Sequence, residues 1–299
     1  MTVEKYGAID IGSNAIRLLI CSVHQEDGRA VKFKKTSLVR VPIRLGADVF
    51  RTKEVSEDNI IRMVDTMQAY QLLMKTHKVV RYKACATSAM REAMNGQEIV
   101  KLIKEKTGIL IDIIDGAEEA KIIAMTDLNE LINTDATYLY VDVGGGSTEF
   151  TLYDNGKAVV SKSFKLGTVR LLNNLVTDTT WKEVEEWIEH HTKGYTRLSL
   201  IGTGGNINNI FKNSRKEIGK PLSFLYLSSY YELLNSLSYE ERIWKLNLNQ
   251  DRADVIVPAT KIYLSAMKWS GARKIHVPKI GLSDGIIKFL YREQMNEKK

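Results

Sequence analysis

The chain has 299 residues, 44% of them apolar and 26% charged, the profile of a folded globular protein with room for two cores. No apolar run approaches the ~20 residues that a bilayer span needs, and the opening MTVEKYGAIDIG lacks the basic-then-apolar order of a signal peptide. Only two cysteines occur, Cys21 and Cys85, both inside apolar strand-like runs, which excludes a disulfide framework and points to a reducing cytoplasm. The formal charge of +7 favours anionic partners, but no nucleic-acid-binding signature accompanies it.

In chain order, KYGAIDI (5–11) reads as a strand that delivers Asp10 to its end. Gly12, Ser13 and Asn14 follow, and Ala15–Val23 is extended again. Val31–Arg44 is a further extended segment, interrupted by Pro42. A helix begins after Ser56, with Glu57 and Asp58 in its first turn and Ile60, Val64 and Met67 along one stripe. Arg81–Thr87 reads as a strand and Ser88–Asn95 as a short helix. Its Arg91 is an exposed helix residue by local sequence, with an anion contact as the alternative. Gln97–Lys106 forms a helix stopped by Gly108, and Leu110–Ile114 a strand. Gly116–Ile132 is then a long amphipathic helix with Glu118 and Glu119 in its first turn. One carboxylate suffices to complement a helix dipole, so a pair leaves one for another task.

The most informative stretch is YLYVDVGGGSTEFT (Tyr138–Thr151). An apolar strand carries Asp142 to its end. Gly144, Gly145 and Gly146 let the backbone take left-handed conformations and approach a ligand closely, with N–H groups free to point at an anion, beside the hydroxyls of Ser147 and Thr148. No Lys follows the glycines and a strand, not a helix, comes next, so this is a phosphate-gripping hairpin rather than a Walker loop. It repeats the pattern around Asp10, 132 residues earlier. The repeat implies a duplication in which each domain presents one such hairpin to a shared cleft.

Asp154-Asn155-Gly156 marks a hairpin turn into Lys157–Phe164. Lys165–Thr168 follows, with Arg170 in reach of a phosphate. Thr180 and Glu183 suggest a capping box for Trp181–His191, and His190 and His191 a favourable charge at that helix end. Leu198–Ile201 leads into a third glycine turn, Gly202-Thr203-Gly204-Gly205, opening a helix at Asn206, another anion seat. Ser238 and Glu241 cap a later helix. Asp251–Lys268 is a long helix that Pro258 should kink. Ile275–Ile280 is the last strand, and Ser283-Asp284-Gly285 opens a terminal helix.

With these motifs in hand, the chain resembles the exopolyphosphatase and guanosine pentaphosphate phosphohydrolase family of the sugar kinase, heat-shock 70 and actin superfamily. AIDIGSNAIRLLI (Ala8–Ile20), ATSAMREA (Ala86–Ala93), IDGAEEAKII (Ile114–Ile123), VDVGGGSTEF (Val141–Phe150), FKLGTVRL (Phe164–Leu171) and IGTGGNINNI (Ile201–Ile210) carry the resemblance in family order. Ala15 departs by replacing a common hydroxyl, and Asn206 stands where Ser or Thr is common.

The resemblance implies an α/β fold of two ribonuclease H-like (actin-like) domains, mixed sheets flanked by helices, with the active site in the interdomain cleft. Boundaries are expected at 1–125 and 126–299, the terminal helix being able to pack back on the first domain. It further implies Glu119 as catalytic base, and phosphate contacts from Gly12–Asn14, Arg91 and Gly144–Thr148. Asp142 and Glu149 would be ligands for Mg²⁺ or Mn²⁺, with Asp10 assisting through water. Polyphosphate or pppGpp would be the substrate, as in the stringent response, and a homodimer the assembly. Neither a membrane nor a specific nucleic acid is expected as partner. An ATP-dependent kinase of the same superfamily and a non-catalytic nucleotide or polyphosphate sensor are the alternative readings.

Overall fold

Strand β1 (Thr2–Ile11) turns back after Gly12 into β2 (Ile16–Gln25), which runs antiparallel to β3 (Lys32–Val41). The computed structural model describes residues 2–26, 28–126 and 136–297. Tyr6–Ile11 is buried without a break because β1 is central. The sheet order is β3-β2-β1-β4-β5, where β4 (Arg81–Ala86) lies parallel to β1 and β5 (Ile111–Ile113) parallel to β4. A strand covered on both faces reads as a continuous apolar run rather than an alternation.

Helices α1 (Leu45–Thr52), α2 (Glu57–Thr76), α3 (Ser88–Glu92), α4 (Gly96–Thr107) and α5 (Gly116–Ala124) complete this part of the chain. Ser56 caps α2 by accepting the Asn59 N–H, and Gly108 ends α4 at φ 72°, a conformation that costs glycine nothing. Buried Tyr70 on α2 places its hydroxyl 3.0 Å from the Ile16 carbonyl and 3.2 Å from that of Val39, tying the helix to β2 and β3.

The second sheet repeats the plan. Strands β6 (Thr137–Val143), β7 (Thr148–Asp154) and β8 (Lys157–Phe164) form an antiparallel meander. Asn155 and Gly156 both take positive φ between β7 and β8, as a two-residue hairpin requires. After helices α6 (Thr168–Leu172) and α7 (Asp178–Thr192), β9 (Leu198–Thr203) runs parallel to β6. Helix α8 (Gly205–Asn213) leads to a short edge strand, β10 (Leu222–Ser223). Helices α9 (Phe224–Ser236), α10 (Tyr239–Leu246), α11 (Gln250–Ala253) and α12 (Ile256–Ser270) precede β11 (Lys274–His276), which is parallel to β9.

The order is β10-β11-β9-β6-β7-β8, so without β10 the two sheets correspond strand for strand and direction for direction. Each is the mixed, helix-flanked sheet of a ribonuclease H-like (actin-like) domain. The second is cored by residues such as Leu139, Val141, Phe150, Leu200, Ile210 and Tyr263. By contacts, the chain divides into Met1–Thr126 with Leu282–Lys299, and Asp127–Gly281. The last helix, α13 (Leu282–Glu297), packs on β1, β4 and α5 of the first unit.

Several local expectations are corrected. The cap of α7 is Thr177, accepting from the Thr180 N–H, so the helix starts before the Thr180–Glu183 pair could act as a capping box. Ser238 and Glu241 do form one, on α10. Pro258 does not kink a long helix. The chain breaks between α11 and α12 instead, leaving Pro258 in the first turn of α12, where its missing N–H has no carbonyl to meet. Burial, then the charges of His190 and Lys162, lowers the pKa of His191, which weakens it as a charge at the helix end, and its ring packs on Trp187. The helix read as Gly116–Ile132 is α5 to Ala124, and residues 127–132 lie outside the described residues. Cys21 and Cys85 are free and buried, and burial pushes their thiols up to about 11 and about 12, which leaves them unreactive.

Helix α13 approaches α5 so closely that a Cβ at Gly285 would lie 2.1 Å from the Ile122 carbonyl oxygen. Replacing a helical glycine by alanine ordinarily stabilises. Here the backbone obstacle reverses the sign, and Gly285→Ala should destabilise the protein by about 1–3 kcal/mol, read as a lower urea midpoint. An unchanged or raised midpoint would show that α13 can move away at no cost.

Candidate active site

The two Asp–Gly corners are superimposable in register. In the first, Asp10 lies opposite Arg17 and Ile11 opposite Ile16, and the Gly12 N–H donates to the Ala15 carbonyl at 3.1 Å. In the second, Asp142 lies opposite Glu149 and Val143 opposite Thr148, and the Gly144 N–H donates to the Ser147 carbonyl at 2.9 Å. The corners differ in charge. Asp10 is buried and its Oδ2 accepts from Arg17 Nη1 at 2.9 Å. Burial raises its pKa even so, against the lowering effect of the guanidinium. At the second corner, the position of Arg17 is taken by another carboxylate.

In the first unit the turn Gly12–Asn14 is braced from outside. The Gly46 N–H donates to the Ser13 carbonyl (2.8 Å), the Arg44 N–H to that of Asn14 (3.1 Å) and the Thr87 N–H to that of Ile11 (3.1 Å). The buried hydroxyls of Ser13 and Ser88 are 2.9 Å apart, which brings the ATSAMREA motif onto this turn. Arg91 donates from Nη1 to the Ile114 carbonyl at 2.6 Å, just before Asp115 caps α5 by accepting the Glu118 N–H at 2.8 Å. The carboxylate pair is divided by burial: Glu118 is exposed, whereas Glu119 is buried at 9% exposure.

In the second unit, the glycine corner is held by its carbonyls. The Thr168 N–H donates to Gly144 (3.0 Å), the Val169 N–H to Gly145 (2.9 Å), and Arg170 Nε to Gly146 (2.7 Å). No peptide bond among the described residues is cis. A trans peptide directs its N–H opposite to its C=O. With three successive carbonyls turned toward α6, the N–H groups of Gly145, Gly146 and Ser147 face the other way, the arrangement of an anion-binding nest.

None of Gly144, Gly145 and Gly146 has positive φ, so left-handed conformation is not why they are glycine. At Gly144 a Cβ would lie 3.0 Å from the Ser147 oxygen. A Cβ on Gly167 would lie 2.3 Å from the Gly145 oxygen, so the α6 segment sits directly against the corner. Arg170, read as reaching for phosphate, is buried and spends Nε on the Gly146 carbonyl. The Thr148 hydroxyl is likewise committed, to the Leu166 carbonyl, and Ser147 Oγ donates to Glu149 Oε1 at 2.7 Å.

Glu149 is buried and also accepts from Ser163 Oγ at 2.8 Å, a partner that nothing in the sequence singled out. Beside it lies the third glycine turn. Gly204 (φ 109°) comes so near that a Cβ there would be 3.4 Å from Asp142 Oδ1 and 3.0 Å from the Val143 oxygen. Gly202 packs on Ile275 instead, and Gly205 lies under the Arg252 guanidinium, which also reaches Asn206 Oδ1 at 3.4 Å. Thr203 donates to the buried Tyr140 hydroxyl at 2.8 Å, and Tyr263 donates to the Thr203 carbonyl. Burial, then the Asp142 charge, holds both phenols well above their ordinary pKa, so they stay neutral.

Like charges placed directly opposite in a sheet repel. The Asp142–Glu149 pair therefore suits a hard divalent cation, which favours carboxylate oxygen. Among the described residues no group of three or more His, Cys, Asp or Glu is placed to hold a metal ion. Two carboxylates are what the corner offers, and Mg²⁺ characteristically completes its shell with water and substrate phosphate.

Two actin-like sheets, each ending in an Asp–Gly corner built to the same register, define a protein of the actin-like superfamily. The family model described as the Ppx/GppA phosphatase family matches residues 25–293, and the chain belongs to that family. It is 32% identical over 231 residues to a bifunctional 3-dehydroquinate synthase/phosphatase of Fusobacterium nucleatum, covering 68% of this chain and 34% of that one. Over 176 residues it is 32% identical to exopolyphosphatase 2 of Mycobacterium tuberculosis, covering 57% and 54%. The chain thus spans between a third and just over half of these relatives. A crystal structure of an exopolyphosphatase from Cytophaga hutchinsonii superposes with a TM-score of 0.83 over 97% of this chain and 98% of that one, at 23% identity.

Because Arg170 supports the glycine corner through one charged hydrogen bond, Arg170→Met should destabilise the protein by about 1–3 kcal/mol, leaving the Gly146 carbonyl without its donor. Thermal unfolding of the variant measures this. A midpoint equal to wild type would mean that α6 alone holds the turn.

Proposed function

We propose that the chain hydrolyses the terminal phosphoanhydride of inorganic polyphosphate or of guanosine pentaphosphate, releasing orthophosphate. The observation that carries this reading is the glycine corner at 144–147. Its carbonyls are tied back, its N–H groups are turned outward, and a pair of carboxylates stands beside it. Membership of the Ppx/GppA phosphatase family supports the same chemistry.

In this reading the N–H groups of Gly145, Gly146 and Ser147, with the turn at Gly12–Asn14, hold phosphoryl oxygens. Such preorganised donors account for most of the rate in phosphoryl transfer. Arg91 adds positive charge from α3. Glu119 orients a water and takes its proton as the water oxygen bonds to phosphorus and the bridging P–O bond breaks, its electron pair leaving with the shortened chain. Bound at Asp142 and Glu149, Mg²⁺ or Mn²⁺ would neutralise charge on the phosphoryl oxygens. Asp10, already paired with Arg17, contributes through water rather than as a direct ligand. Because the hydroxyls of Ser147 and Thr148 are engaged, this reading gives the binding role to the backbone of that turn.

Glu119→Gln should keep substrate affinity while lowering turnover by about 10²–10⁴-fold, the usual contribution of a general base. Phosphate release from polyphosphate and pppGpp with no acceptor present measures this. Turnover equal to wild type would remove Glu119 from the mechanism, and no release by wild type from any member of the panel would remove the function. Asp142→Asn should shift the Mg²⁺ activation curve to higher concentration; a curve unmoved from wild type would dismiss Asp142 as a ligand.

A further inference from the structure

The positive charge of this chain is unevenly distributed. Residues 205–231 carry four Lys or Arg against one acid, and residues 255–283 carry five against none. Together these two stretches carry a net +8, more than the +7 of the whole chain. They meet at the β10–β11 edge of the second sheet, where Leu222 pairs with Ile275 and Ser223 with Lys274. There Arg215, Lys216, Lys220 and Lys274, with Glu217 as the one acid, line a cavity of about 470 Å³.

The cations are held together by the backbone. The Lys220 N–H donates to the Glu217 carbonyl at 3.1 Å and the Phe224 N–H to that of Arg273 at 3.0 Å. Lys216 Nζ bonds the Pro221 carbonyl at 2.8 Å, closing the loop on itself. Gathering four like charges around one concavity costs free energy that a multivalent anion would relieve.

We propose that this pocket is an accessory polyanion site that holds the trailing part of a linear inorganic polyphosphate. The identity of the ligand rests on the function proposed above; the existence of the site does not. No lining residue is aromatic, whereas single-stranded nucleic acid is held by stacking on aromatic side chains as well as by charge. The pocket also stands apart from the glycine corner of its own unit. Lys274 precedes Ile275, which pairs with Leu200 near the start of β9, while Gly204 follows its other end. Five residues of strand separate the two levels, roughly 16 Å at ~3.3 Å per residue. A long chain reaches from one to the other, and a tripolyphosphate does not.

The test is equilibrium binding to the full chain with a chelator present, so that nothing turns over. Probes are long-chain polyphosphate, tripolyphosphate and a single-stranded RNA oligonucleotide. Arg215→Ala/Lys220→Ala/Lys274→Ala should weaken long-chain binding by about tenfold or more. It should also flatten the dependence of log K on log salt by about 2, from ~0.7 per cation lost. Tripolyphosphate affinity should stay at its wild-type value, and the charge-keeping triple Arg215→Lys/Lys220→Arg/Lys274→Arg should restore long-chain binding. Unchanged long-chain affinity and slope would overturn the proposal. So would failure of the charge-keeping variant to restore binding, or an equal loss for RNA. Since binding is read without turnover, a protein that holds polyphosphate here yet releases no phosphate would defeat the hydrolase reading and leave the pocket standing.

Discussion

The second unit depends on a set of hydrogen bonds that point away from any ligand. Three consecutive glycine carbonyls are tied to α6 and Arg170, and only because they are tied do the intervening N–H groups share one direction. A flexible triple glycine has no reason to hold such an arrangement, since glycine loses more freedom on ordering than any other residue. The support comes from residues 166–170, brought against the corner at a distance that leaves no room for a side chain at Gly167. Rigidity at this turn is therefore a tertiary property, although the turn itself looks local.

The same register at both corners allows them to be compared residue for residue. One corner satisfies its aspartate internally, through Arg17 on the facing strand. The other sets a glutamate at the equivalent place, where it accepts from the hydroxyls of Ser147 and Ser163. The two corners thus share their hydrogen bonding and differ in electrostatics, one setting Asp10 opposite Arg17 and the other Asp142 opposite Glu149. The difference between the corners therefore lies in a single exchanged position rather than in backbone register.

Much of this was visible beforehand. Strands that end in Asp and then Gly, the helix start at Ser56, the stop at Gly108 and the Asn155-Gly156 turn all rest on short-range chemistry, and each appears where the residues place it. What stayed hidden depends on distant partners. Nothing near Arg170 in sequence announces that its guanidinium bonds a carbonyl 24 residues earlier. Ser163 and Tyr263 looked like ordinary strand and helix residues. Pro258 is not placed by its neighbours because its effect depends on whether it lies within a helix or in its first turn, a boundary set by the break after α11. The three glycines allow both left-handed backbone and close approach, and the sequence does not say which is used; none of them has positive φ.

The return of α13 to the first sheet has a consequence for how the halves can be separated. Residues 127–281 form one uninterrupted segment, whereas the other half is assembled from the stretches on either side of it. A ribosome has therefore released the whole insert before the opening strand meets its closing helix. Expressed alone, the inner segment is a simple excision, but its counterpart calls for a spliced or circularly permuted chain.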